Sequence, residues 1–141
     1  MTYQNILVAI DDSEMTDKVI REAAQLAKAL NSQITVVSVV PVDPYLHYGQ
    51  GQEFLDRVRD HMKNHLTQVT EKFEGFEVDV HTQLLEGAFI HHEIVTAAQN
   101  LGSELIIMGS HGRTGLTKLV LGSVAQKVLA ESQIPVLVIR A

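Results

Sequence analysis

The sequence predicts an α/β protein with an open, doubly wound, five-stranded parallel sheet of order 3-2-1-4-5 and helices on both faces. Short apolar runs rich in Val and Ile alternate with longer segments of helical periodicity, which is typical of βαβ units. The length of 141 residues is close to that of a common single domain, so we expect residues 1–141 to form one domain. Right-handed crossovers then favour this strand order, with the winding reversed between the first and fourth strands.

The first half of the chain contains two predicted strands and two predicted helices. Residues 6–10 form the first strand, and Ser13 is a suitable N-cap for the helix that follows. Asn31 is expected to end that helix. Its apolar side carries Val19, Ile20, Ala23, Ala27 and Leu30. Residues 34–40 form the second strand, and prolines after it lead into a second helix that Gly75 closes. The apolar side of this second helix carries Phe54, Leu55, Val58, Met62, Leu66, Val69 and Phe73.

The second half of the chain continues the same alternation. The valines within 78–80 alternate with charged residues, as expected of a half-exposed edge strand. Gly87 begins a turn into a third helix. The apolar residues of that helix are Ile90, Ile94, Ala97 and Leu101. Residues 105–108 form a fully apolar strand, Ser123–Glu131 a fourth helix, and residues 136–139 the last strand.

A glycine-rich loop, MGSHGRTGLTKLVLGS, follows the predicted fourth strand. Gly109, Gly112 and Gly122 lie where the backbone could wrap phosphate groups, because glycine allows N–H groups to approach an anion closely. The helix that begins at Ser123 would add a favourable dipole. The loop does not fit a P-loop, since the segment from Gly112 lacks the second glycine and the final hydroxyl. It also lacks the Gly-x-Gly-x-x-Gly spacing of dinucleotide folds, so it indicates a nucleotide pocket of another kind.

Three segments together resemble the universal stress protein family. The pattern Gly-x2-Gly-x9-Gly-Ser is met by Gly109, Gly112, Gly122 and Ser123, and NILVAIDDSE near the start and PVLVIR near the end also match. The resemblance covers the whole chain, and the glycine spacing is that of the family's ATP-binding branch. It implies a stress-response or regulatory protein that binds ATP, with a divalent cation such as Mg²⁺ bound through the phosphates. It also implies a homodimer formed through the last strand, with any further protein partner unidentified.

The resemblance assigns the binding residues by position. Asp11 matches the family's acidic residue near the adenine and ribose. A carboxylate accepts a hydrogen bond from a ribose hydroxyl but repels phosphate. The alternative is that Asp11 only makes the turn into the helix, and for Asp12 we favour that interpretation. Ala9 and Val39 match positions that contact the base, and both are also expected in the core. The loop residues expected to bind the nucleotide are Met108, Gly109, Ser110, His111, Gly112, Arg113, Gly122, Ser123 and Val124.

The place of this site follows separately from the predicted topology. Ligands of open α/β sheets bind outside the carboxyl ends of the strands, where the winding reverses. We therefore expect the turn at Asp11 and the loop at Gly109 to face each other across one crevice. Arg113 would add a charge-assisted contact with phosphate there.

The seven histidines raise the question of metal binding and catalysis. His61 and His65 lie one helical turn apart and could face one ion, but no third ligand is evident, so an exposed polar face is favoured. The segment 91–93 lacks the His-Glu-x-x-His spacing because Thr96 stands where the second histidine would be. His111 could orient a phosphate or act as a base, although a loop histidine without a catalytic role is the favoured alternative. We predict no catalytic residue and, at most, slow ATP hydrolysis.

Composition excludes several function classes. The formal net charge of −6 argues against nucleic acid and anionic membranes as partners. The chain has no cysteine, which excludes disulfides, thiolate catalysis and cysteine metal sites. No signal peptide or bilayer-spanning segment is recognised, so we expect a cytoplasmic protein. The alternatives left open are a slow ATPase or phosphoryl-transfer protein, a nucleotide-free dimerisation module, and a flavin or other redox carrier.

Overall fold

The computed structural model describes residues 2–42, 50–111 and 121–141, along which strands and helices alternate. In chain order they are β1 (Asn5–Ala9), α1 (Thr16–Leu30), β2 (Gln33–Pro41), α2 (Gln50–Gly75), β3 (Val80–Gly87), α3 (Ile90–Asn100), β4 (Leu105–Gly109), α4 (Ser123–Glu131) and β5 (Val136–Ile139). The predicted bounds of the fourth helix and last strand are confirmed. The third strand begins only at Val80, the second of the two predicted valines, and continues to Gly87, further than predicted.

All five strands are parallel, and their order β3-β2-β1-β4-β5 confirms the predicted topology. The central strand β1 pairs with β2 on one side and β4 on the other, so Ala9 lies opposite both Val37 and Met108. The chain winds outward from β1 through β2 to β3, and then outward in the other direction through β4 to β5. The carboxyl ends of β1 and β4 therefore mark the reversal.

Two buried clusters lie on the two faces of this sheet. Because neighbouring residues of a strand point to opposite faces, Ile6 and Val8 pack in one cluster while Leu7 and Ala9 pack in the other. The first cluster contains buried residues of α1 and α2, among them Phe73, which is fully buried. The second contains residues of α3 and α4. Helices therefore cover both faces, as predicted.

Helix α1 begins at Thr16 rather than directly after Ser13. Its N-cap position is Met15, no side chain caps it, and the prediction that Ser13 caps this helix is wrong. The Ser13 hydroxyl is buried and has no hydrogen-bond partner among the described residues. The prediction for the other end is confirmed, since Asn31 adopts a left-handed conformation with φ of 56° and its N–H bonds to the Ala27 carbonyl.

Three side chains predicted on buried helix faces are instead exposed. Phe54 is 60% exposed, Leu101 is 42% exposed and Leu30 is 38% exposed. Leu30 is the last residue of α1, Leu101 directly follows α3, and Phe54 lies in the second turn of α2. In α2, for example, the buried positions start only at Met62. Helical periodicity identifies the correct face of a helix but not the length over which that face is covered.

Candidate functional site

A crevice of about 370 Å³ opens at the carboxyl ends of β1, β2 and β4. It lies where the winding reverses, and the turn at Asp11 and the end of β4 at Gly109 face each other across it, as predicted. The predicted binding residues that line it are Ala9, Asp11, Val39, Met108, Gly109, His111, Gly122, Ser123 and Val124. Gly112 and Arg113 lie outside the described residues.

The β2 side of the crevice is an apolar slot. Val37, Val39 and Pro41 of β2 form its floor. Helix α2 contributes Val58 and Met62 from one face of the sheet, and α3 contributes Ile90 and Ile94 from the other. These four helix residues were not predicted to line the site, because their helical spacing is that of ordinary core positions. A flat, largely apolar ring fits such a slot, since ligand pockets are lined mainly by apolar side chains.

The carbonyl oxygen and one carboxylate oxygen of Asp11 accept hydrogen bonds within the β1–α1 turn. Its Oδ1 accepts a hydrogen bond from the Ser13 N–H at 2.9 Å, so Asp11 does shape the turn into α1. Its carbonyl accepts a hydrogen bond from Thr16 Oγ1 at 2.7 Å. Oδ2 has no hydrogen-bond partner within the ranges 2–42, 50–111 and 121–141. The turn therefore leaves one carboxylate oxygen for a hydroxyl donor in the crevice.

Gly122 joins the end of β4 to the start of α4 through close backbone packing. Its N–H donates to the Ser110 carbonyl at 2.6 Å. Its φ of −65° is one that any residue adopts. A Cβ there would lie 3.1 Å from His111 Cα and 3.2 Å from the Ser110 carbonyl oxygen. From the sequence, this N–H was expected to donate to a phosphate. In the structure it donates to Ser110 instead, because the two backbone segments pack against each other.

The N–H groups in the first turn of α4 have no partner within the helix, and their residues line the crevice. The first N–H that bonds back within this helix is that of Gln126, which donates to the Gly122 carbonyl at 3.0 Å. The N–H groups of Ser123, Val124 and Ala125 therefore have no partner inside α4. All three residues line the crevice. Together with the helix dipole, these groups favour an anion.

Ser110 supports the loop from behind and does not line the crevice. It is buried, and its N–H donates to the Ile139 carbonyl at 2.8 Å. Its hydroxyl lies 3.2 Å from Nδ1 of His111. The structure thus brings His111 to the crevice and places the predicted binding residue Ser110 in the packing beneath it.

The paired histidines of α2 contact the β1–α1 turn. Nε2 of His65 lies 2.8 Å from the Asp11 carbonyl oxygen, and Nε2 of His61 lies 3.3 Å from Oδ2 of Asp12. The side chain of His61 is 64% exposed, in line with the exposed polar face favoured from sequence, whereas His65 is half-buried. The His65 contact joins residues 54 positions apart, so no local sequence pattern signals it.

An ion pair ties α2 to the edge strand β3. Arg59 bonds the Glu86 carboxylate through both Nε and Nη2, the latter at 2.9 Å from Oε2. The hydrogen bond from Arg59 holds the pKa of Glu86 below its ordinary value, against the opposing effect of desolvation. The same pair raises the pKa of Arg59. Because residue 58 lines the crevice next to Arg59, this pair fixes part of the wall of the apolar slot.

Metal-binding and membrane-crossing features are absent from the described part of the chain. His91 and His92 both contact Glu131, at 3.5 Å and 3.1 Å. Neither they nor any other His, Asp and Glu residues of the described ranges form a group of three that could hold a metal ion. The described helices include none with the length and hydropathy needed to cross a bilayer.

Comparison with known proteins finds similarity over the whole chain. The model of the universal stress protein family matches residues 2–140. Universal stress protein MJ0531 of Methanocaldococcus jannaschii is 30% identical over 141 residues, which cover 98% of this chain and 82% of the relative. The structure of universal stress protein UspA from Lactobacillus plantarum has a TM-score of 0.87 and 25% identity over 99% of each chain. That of a universal stress protein from Archaeoglobus fulgidus in complex with dAMP has a TM-score of 0.75 and 24% identity, over 99% of this chain and 100% of the other.

Proposed function

Because this chain belongs to the universal stress protein family, we propose that it binds ATP and acts as a nucleotide-dependent sensor or partner-binding protein in a stress response. One observation carries the proposal. A single crevice combines an apolar slot, the carboxylate of Asp11 and the N–H groups at the start of α4 that have no partner inside the helix. These three environments match the base, the sugar and the phosphates of a nucleotide. The dAMP complex of the Archaeoglobus fulgidus protein supports an adenine nucleotide, since that protein has the same fold.

The arrangement favours one orientation of the ligand. The adenine would lie in the apolar slot between Val39 and the helices α2 and α3. The ribose hydroxyls would donate to Oδ2 of Asp11, where a phosphate would be repelled. The phosphates would accept hydrogen bonds from the N–H groups of Ser123 and Val124 and from the Ser123 hydroxyl. Gly122 would contribute by holding the start of α4 beside β4 rather than by its own N–H.

Further contacts complete the proposed phosphate site. Gly109, Gly112 and Arg113 would surround the phosphates, with Arg113 making a charge-assisted contact. A divalent cation such as Mg²⁺ would be bound through the phosphates and water, as Mg²⁺ commonly is in nucleotide complexes. We propose that residues 1–141 act together as one nucleotide-binding domain, since both core clusters share one sheet.

We propose binding rather than rapid turnover. The titratable side chains in the described lining of the crevice are those of Asp11, Asp12 and His111. The two carboxylates belong to the turn assigned to the ribose. The ring of His111 faces the Ser110 hydroxyl through Nδ1. This arrangement offers no evident residue for activating water beside a terminal phosphate, which fast phosphoryl transfer requires.

The test is to identify what the purified protein carries and then what it binds. The protein is denatured, its small molecules are separated by chromatography and their absorption spectra are recorded, and the emptied protein is titrated with MgATP. We expect an adenine nucleotide in the extract or saturable binding of MgATP by the emptied protein. A flavin in the extract, or a protein that carries no nucleotide and binds none, overturns the proposal.

A further inference from the structure

Side chains from two helices donate hydrogen bonds to the same atom of the turn, the carbonyl oxygen of Asp11. The Asp11 carbonyl accepts hydrogen bonds from Thr16 Oγ1 in α1 at 2.7 Å and from Nε2 of His65 in α2 at 2.8 Å. Oδ1 is already bonded to the Ser13 N–H. Because Asp11 is fixed at its carbonyl and at Oδ1, the direction of Oδ2 follows from these contacts.

His65 reaches this turn from a firmly packed part of α2. Met62, Leu66 and Val69 are buried on the same helix, and Met62 also lines the crevice. Nε2 must carry a hydrogen to donate to a carbonyl oxygen, and it does so both in one neutral tautomer and in the imidazolium. The contact therefore depends on the presence of a donor at this position rather than on the charge of the ring.

We infer that His65 is a positioning residue for nucleotide recognition, which holds the Asp11 carboxylate where it meets the ribose hydroxyls. This inference rests on the proposed function. Asp11 itself would contact the ligand, whereas His65 would act only through the backbone of Asp11. Losing His65 should therefore weaken recognition of the ribose hydroxyls specifically and leave contacts with the base and the phosphates in place.

The experiment compares two ligands across matched variants. The dissociation constants of MgATP and of dideoxy-ATP, which lacks both ribose hydroxyls, are measured for the parent, His65→Leu, His65→Gln and His61→Leu. We expect the parent to prefer ATP, and His65→Leu to reduce that preference by about fivefold, the usual effect of one hydrogen bond. His65→Gln, which keeps an N–H donor, should restore most of it. His61→Leu removes a histidine one turn away that contacts Asp12 and should leave the preference unchanged.

The results that would contradict the role of His65 differ from the result that would contradict the proposed function. If His65→Leu keeps the full preference for ATP, or weakens both ligands equally, His65 has no role in ribose recognition. If the parent binds neither ligand, the proposed function itself fails. Should His65→Leu not fold, Thr16→Val removes the other donor to the same carbonyl with little change in shape, and it should lower the preference for ATP in the same way. An unchanged preference in a folded Thr16→Val protein would overturn the inference.

Discussion

Individual atoms at the crevice have roles that the residue types alone do not reveal. Asp11 and Gly122 both match a family pattern, yet each first serves the local backbone, Asp11 by accepting the Ser13 N–H and Gly122 by packing against Ser110 and His111. A carboxylate retains a second oxygen after its first contact, whereas a backbone N–H donates only once. Asp11 therefore stays available to a ligand, and Gly122 does not contribute its own N–H.

Replacing Ser13 by alanine tests the start of α1. The hydroxyl has no partner among the described residues, so its removal should leave the free energy of unfolding unchanged or slightly raised, since a buried unpaired polar group is unfavourable. The measurement is chemical denaturation followed by circular dichroism. A loss of about 1 kcal/mol or more is the usual cost of removing an N-cap and would show that Ser13 caps the helix after all.

Replacing Gly122 by alanine tests the packing between β4 and α4. The new Cβ would lie 3.1 Å from His111 Cα, so the two segments must separate. We expect the free energy of unfolding to fall by about 1 to 3 kcal/mol, as for other overpacked sites. Affinity for ATP should fall more than affinity for adenosine, because the start of α4 moves away from the phosphates.

Gly75→Ala is the matched control for this substitution, since a Cβ there meets nothing within 4 Å. It should leave stability unchanged or slightly increased. If Gly122→Ala behaves like Gly75→Ala in thermal unfolding, the close approach is not what requires glycine at residue 122.

At the scale of elements, β5 is the edge strand through which we propose that two subunits associate. In a parallel pair, alternate residues of a strand bond to the same neighbour. The carbonyl of Pro135 accepts a hydrogen bond from Ile106 of β4, and that of Ile139 accepts one from Ser110, directly after β4. Residues 135, 137 and 139 therefore face β4, and the N–H of Val138 points to the opposite, open edge. Leu137 of this strand is 39% exposed. An apolar edge of this kind is suited to pairing with a second copy.

Val138→Pro separates pairing between subunits from folding of the subunit. Proline at this position removes an N–H from the open edge and spares the hydrogen bonds to β4. Sedimentation at micromolar concentration should give a dimer for the parent and a folded monomer for the variant. A monomeric parent, or a variant that stays dimeric, would exclude β5 as the interface.

The ion pair between α2 and β3 gives a prediction of pH dependence. The pKa of Glu86 is held below its ordinary value of 4.5 by Arg59. A group whose pKa is lower in the folded state stabilises the fold at higher pH, and this contribution is lost as the pH falls through the folded-state value. Acidification below about pH 4.5 should therefore destabilise the parent slightly more than Glu86→Gln. The difference is small because solvent screens the pair. The measurement is the melting temperature of both proteins as a function of pH, and an equal decrease for the two below that pH would contradict the prediction.

For the molecule as a whole, the architecture was largely predictable and the detailed contacts were not. Apolar runs such as residues 105–108 and 136–139 locate the strands, and the handedness of the crossovers leaves few strand orders. The crevice follows from that order. The contact of His65 with Asp11 depends on how α2 packs against the β1–α1 turn, and the packing at Gly122 depends on the approach of two backbone segments. Neither has a local sequence signal.

Calorimetric titration with MgATP of the parent, Asp11→Ala and Asp12→Ala tests the proposed nucleotide site. Asp11 and Asp12 are neighbours of the same charge in the same turn, and both line the crevice. Only Asp11 is assigned to the ribose. The parent should bind MgATP, Asp11→Ala should bind at least about tenfold more weakly, as expected for a lost charged hydrogen bond, and Asp12→Ala should remain within about twofold of the parent. No binding by the parent, or equal affinities for the parent and Asp11→Ala, would contradict the proposed site.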